Sequence, residues 1–183
     1  IGNSAAHGGG IFISENAQAN INNTLIVENY QSEENPNNTI FNFEGYAAIE
    51  TNGSSIQLDG CTIANNQSTG ILLRNGSNLT LSNSIFWFNE SILLDNDILD
   101  TINISYSNIE NGFEGLGNIS SNPLFCRIDL EDYALATNSP CIGTGQNNSN
   151  IGALDVGCEQ SNSNWNFSIG EPVFQLEGED YEW

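Results

Sequence analysis

Short runs of alternating apolar and polar residues punctuate the chain. SIQLDG (55–60) and NLTLSN (78–83) place an apolar side chain at every second position, bounded by Asn-Gly or Asn-Asn pairs that accept left-handed corner geometry. A period of two predicts half-buried β-strands of about five residues, and no segment keeps the three-to-four spacing of an amphipathic helix. The alternation recurs. With a shift of 23, Ile56 falls on Leu79, Leu58 on Leu81, Ile63 on Phe86 and Asn66 on Asn89. The same shift sets Ile49 on Leu72, Asn52 on Asn75 and Gly53 on Gly76. It continues to Ile102, Ile104 and Ile109, although 91–100 lack the Asn-Gly-Ser corner. Backwards, Ile21 and Ile26 match Leu58 and Ile63 at a shift of 37, the period lengthened by an insertion placed at about 31–44.

A period of this length marks a repeat architecture, and strands this short find no partner within their own turn. Their backbone groups must bond to the turns above and below. The expected fold is therefore all-β: a right-handed parallel β-helix of about four turns of roughly 23 residues. Like residues stack into the columns Ile21/Leu58/Leu81/Ile104 and Ile26/Ile63/Phe86/Ile109, and Asn29, Asn66 and Asn89 form a corner ladder of amides. The turns occupy 1–121, a C-terminal cap region 122–158, and a tail 159–183. In the tail, VFQLEG alternates like a strand that folds back or adds to a neighbouring chain's sheet.

From Asn122 onward four elements follow in order: NPLF (122–125), DYAL (132–135), NSPCIGTG (138–145) and IGALDVGC (151–158). Their order and spacing resemble the C-terminal part of the right-handed parallel β-helix repeat family of secreted microbial surface proteins. GGGIFI (8–13) is similar to the start of a turn in that family. The resemblance implies a fold, a cap region and an extracellular setting as a surface, adhesive or carbohydrate-handling module. It implies no single activity. Related sequences commonly carry an extra Cys between the SPC and VGC elements, where this chain has 145–150. Cys126 and Cys141 bracket the DYAL strand and are the expected disulfide, with Cys158 competing for either partner; Cys61 is expected as a small buried core residue.

Charge narrows the partners. The chain has 23 acidic residues against Arg74 and Arg127, no Lys, and a net charge of -21. Nucleic acid is excluded, because two cations cannot displace the counterions of a polyphosphate. Acidic polysaccharides and anionic lipid are repelled unless divalent cations intervene. The longest apolar cluster, IFWF at 85–88, is strand-sized, so direct membrane insertion is not expected. The chain opens on Ile1 without a basic and apolar leader pattern and reads as a mature or excised product.

Candidate sites follow from this composition. Asp95, Asp97 and Asp100 offer hard oxygen ligands suited to Ca²⁺, though without the Gly and distal Glu of an EF-hand. Asp129, Glu131 and Asp132, and Glu177, Glu179 and Asp180, are weaker acidic clusters. The chain holds 30 Asn, and glycosylation sequons begin at Asn22, Asn37, Asn52, Asn66, Asn75, Asn78, Asn89, Asn103, Asn118, Asn147 and Asn166. Strand alternation turns Trp87 outward beside Phe86, where an indole can stack on a glycan or fill a partner's pocket. His7, Arg74 and Arg127 do not align on one face, so no catalytic residues are assigned. The expected function is a non-enzymatic extracellular structural or adhesive protein, a subunit self-associating end to end in a filament or the terminal segment of a stalk. The alternative is a carbohydrate-binding or polysaccharide-cleaving β-helix using Trp87 and the acidic loops.

Overall fold

The computed structural model describes residues 1–3, 9–29, 47–66, 69–89, 92–94 and 100–159. His7, the 31–44 insertion, Asn37, Asp95, Asp97, Asn166 and the tail beyond Glu159 lie outside them. The described residues are nearly all β. Four successive rungs each contribute three strands: β1 (Ile11–Ile13), β2 (Gln18–Asn22) and β3 (Leu25–Val27); β4 (Ala47–Asn52), β5 (Ser55–Asp59) and β6 (Thr62–Ala64); β7 (Thr69–Arg74), β8 (Asn78–Ser82) and β9 (Ile85–Trp87); β10 (Ile92–Leu94), β11 (Thr101–Ser105) and β12 (Asn108–Ile109).

Corresponding strands pair in parallel, giving three four-stranded sheets: sheet one of β1-β4-β7-β10, sheet two of β2-β5-β8-β11 and sheet three of β3-β6-β9-β12. The expected columns hold. Ile21 pairs with Leu58, Leu58 with Leu81 and Leu81 with Ile104; Ile26 pairs with Ile63, Ile63 with Phe86 and Phe86 with Ile109. All three sheets turn these side chains into one shared core.

Sheet one departs from the constant shift. Ile49 pairs with Ile71, not Leu72, and Asn52 with Arg74, not Asn75. The corner between β7 and β8 (Asn75, Gly76, Ser77) is one residue longer than the corner between β4 and β5, so the slip is absorbed there. The slip matters because one residue of register exchanges the two faces of a strand, and it is the observed pairing that sends Ile49, Ile71 and Leu73 into the core. At the corner itself Asn75 Nδ2 still donates to Asn52 Oδ1 at 2.7 Å.

Left-handed residues recur at fixed places and set the corners. Asn23, Gly60, Asn83 and Tyr106 occupy one such column between sheets two and three, and Glu28, Asn65, Phe88 and Asn111 another after sheet three. Ladders lock these corners. Asn66 Nδ2 donates to Asn89 Oδ1 at 2.8 Å, Asn29 Nδ2 to Asn66 Oδ1 at 3.0 Å, and the Asn3 amide to Asn29 Oδ1 at 3.1 Å, so the predicted Asn ladder extends one member further. Two hydroxyl ladders accompany it. Ala17 N donates to Ser54 Oγ, Ser54 N to Ser77 Oγ and Ser77 N to Asp100 Oδ1; Cys61 N donates to Ser84 Oγ, Ser84 N to Ser107 Oγ and Ser107 N to Asn118 Oδ1.

Most of the C-terminal region, 122–158, packs along the outer face of sheet three. The strands β13 (Phe125–Arg127), β14 (Asp132–Ala136) and β15 (Val156–Cys158) form a small mixed sheet. Phe125, Tyr133, Leu135, Cys141 and Ile151 pack on Val27, Ala64, Ile85 and Trp87, which point outward from sheet three. Those outward positions are apolar in successive rungs, so they need lateral cover. Bonds from this flank reach several rungs: Tyr133 Oη to Glu28, Ala153 N to Thr62 Oγ1, and Gln146 N to Asn83 Oδ1.

The disulfide also differs from expectation. Cys126 bonds to Cys158, not to Cys141. Antiparallel β13 and parallel β15 flank β14 on opposite edges, and their ends bring Cys126 and Cys158 to a Cα separation of 5.9 Å. Cys141 turns into the apolar cluster, where its sulfur accepts from Asn108 Nδ2, and Cys61 is the second free, buried cysteine.

Candidate functional site

The three sheets have three outward faces, and they differ in cover. That of sheet three lies beneath the flank. On sheet one the outward positions Glu50 and Leu72 are buried at 2% and 1% exposure, and Glu50 Oε1 accepts from Arg74 Nε at 3.2 Å. Sheet two alternates buried with solvent-facing positions, so Asn20, Gln57 and Asn103 are exposed.

The two ends differ as well. Residues 110–121 fold over the fourth rung: Tyr106 N donates to Leu116 O, Ile109 N to Ile119 O, and Asn118 Nδ2 to Ile104 O at 3.1 Å, leaving Ile104 and Ile109 buried. At the first rung β1, β2 and β3 are the edge strands of their sheets. Residues 1–3 lie along β3, with Gly2 N donating to Val27 O. Ile11, Ala19 and Ile21 pack on the core yet remain half-exposed.

Sequence-assigned residues are distributed over these features. Trp87 does point outward, but the flank covers it to 9% exposure, which removes it as a glycan platform. Asp100 stands at the hydroxyl-ladder position after Ser54 and Ser77, and its second oxygen is buried without a hydrogen-bond partner among the described residues. Among the described residues no three His, Cys, Asp or Glu side chains converge as a metal centre. Arg127 pairs with Asp129 at 2.9 Å on the surface, and that hydrogen bond holds the Asp129 carboxyl below the usual range. Gly9 and Gly10 pair with the second rung through Ala47 O and Ala48 O.

The sequons divide by environment. Asn66 is buried, with Nδ2 donating to Asn89 Oδ1 and Ile26 O; Asn89 Nδ2 donates to Ile63 O; Asn118 Nδ2 donates to Ile104 O. An attached glycan would have to break those bonds, so these three leave the candidate set. Asn22, Asn78 and Asn103 are exposed on sheet two, Asn75 is exposed and Asn52 half-buried at the adjoining corner, and Asn147 is exposed on the flank.

Burial raises the thiols of Cys61 and Cys141 above the ordinary range, which disfavours their thiolate forms. Sequence reading missed the hydroxyl ladders and the polar columns of sheet two; the repeated Ser54/Ser77 and Ser84/Ser107 spacing was the available signal. No protein family, curated protein or solved structure matches this chain. No helix among the described residues is long and apolar enough to cross a membrane.

Proposed function

We propose that the rungs form a right-handed parallel β-helix acting as a non-enzymatic, extracellular structural or adhesive surface protein, joined through its first rung to a second copy. Right-handedness is the strong rule for parallel crossover connections, and each rung connects only through such crossovers. One observation carries the functional reading: the first rung leaves Ile11, Ala19 and Ile21 half-exposed beside edge strands, while on the fourth residues 110–121 bury Ile104 and Ile109 and leave Ile102 half-exposed. Such an edge is a template for another strand. The Cys126–Cys158 bond suits an oxidising, extracellular setting.

The tail's sequence offers a matching strand. Residues 173–178, outside the described residues, read VFQLEG against SIQLDG at 55–60: an apolar residue, Gln, Leu, an acid and Gly coincide in order. Strand addition from a second copy would continue the columns of sheet two. Sedimentation velocity and electron microscopy of the full chain test this. Concentration-dependent assemblies, lost when the chain is ended at Glu159, are expected. A chain that stays monomeric at high concentration, with calcium present, would remove the joint.

A further inference from the structure

We infer that the outward face of sheet two is a binding surface for an uncharged, hydroxyl-rich polysaccharide. Among the described residues the flank leaves this face open, and its side chains are polar or hydroxylic in every rung. In-register pairing stacks Gln18/Ser55/Asn78/Thr101, Asn20/Gln57/Thr80/Asn103 and Asn22/Asp59/Ser82/Ser105 as three columns running along the stack. These columns hold one carboxylate, Asp59.

That carboxylate is engaged. Asp59 Oδ1 accepts from Ser82 Oγ at 2.6 Å and Asn83 Nδ2 at 2.8 Å. The first column is also tied internally, with Asn78 Nδ2 donating to Ser55 Oγ and Thr101 Oγ1 to Asn78 Oδ1. The central column has no such bonds among the described residues, so Asn20, Gln57, Thr80 and Asn103 present their amides and hydroxyl to solvent. A trough of about 270 Å³ lies between it and the first column, lined by Gln18, Asn20, Ser55, Gln57, Asn78 and Thr80.

Amides and hydroxyls each donate and accept, as sugar hydroxyls do. The sheet spaces their backbones at about 4.8 Å, so an extended chain can meet several of them in register, at the cost of ordering each exposed side chain. A neutral polymer needs no counter-charge here, whereas an anionic one meets the field of the whole molecule. The described side chains of the three columns include no aromatic ring, so many modest hydrogen bonds must share the binding.

Affinity electrophoresis of the full, disulfide-bonded chain, made in a host that adds no N-glycans, tests the inference. The probes are a mixed-linkage β-glucan, galactomannan and dextran, with polygalacturonate and alginate as acidic polymers. Retardation by at least one neutral polymer and by neither acidic one is expected. The double variant Gln57→Ala/Thr80→Ala should bind roughly tenfold more weakly, with its circular dichroism unchanged, while Asp129→Asn on the flank binds as before. Absence of retardation by every neutral polymer, or equal retardation of the double variant, would overturn it.

Discussion

Gly70 shows how a single missing methyl group admits a ring into an aliphatic column. A Cβ at this position would clash with the Phe86 ring, and the backbone is not left-handed, so packing alone requires glycine here. Gly70→Ala should cost about 2 kcal/mol in urea unfolding, and adding Phe86→Leu should recover part of it through coupling between the two sites. In the Asn ladder, Asn66→Ala strips partners from buried amides and should cost about 3 kcal/mol, against under about 1 kcal/mol for exposed Asn75→Ala. The Asn ladder was legible because Asn29, Asn66 and Asn89 repeat with the strands. The hydroxyl ladders were less so, since Ser at a corner reads as ordinary turn chemistry. Asp100 takes a ladder role that its place in an acidic run does not announce, accepting the Ser77 amide where the rungs before it carry a serine hydroxyl.

Strands, their order and most of their partners could be read from the repeat, because buried positions at a fixed period permit few registers. Two features of the elements escaped. The slip in sheet one depends on a single extra corner residue, which leaves the apolar pattern of TGILLR intelligible in either register. The disulfide depends on the placement of β13 and β15 around β14, which spacing does not encode. Cys126→Ser should lower stability by about 4 kcal/mol, the chain-entropy expectation for a loop of 32 residues. Non-reducing peptide mapping should recover a linked Cys126/Cys158 pair, with Cys61 and Cys141 alkylated only after unfolding.

The flank ties the molecule together across its length, and Tyr133 gives that tie a pH dependence. Its hydroxyl donates to Glu28 Oε1 at 2.8 Å, and burial raises it well above the ordinary phenol range, with Glu28 adding to the effect. Because the folded state holds this proton more tightly, the contribution is complete below about pH 10 and is lost as pH rises further toward the folded value. Unfolding free energy should therefore fall above about pH 10, and Tyr133→Phe should flatten that fall. Function was less legible than architecture. Trp87 had the right direction for a binding platform, but the flank that covers it is distant in sequence. The columns of sheet two became evident only when the register aligned them.

Spacing between rungs is the most direct test of the whole account. Nitroxide labels on the pairs Gln57→Cys/Thr80→Cys, Gln57→Cys/Asn103→Cys and Asn20→Cys/Asn103→Cys should show dipolar interactions weakening in that order. The corresponding separations grow by about 4.8 Å per rung. Equal interactions for the three pairs, or a closer approach for the third than for the first, would contradict a stack of like residues.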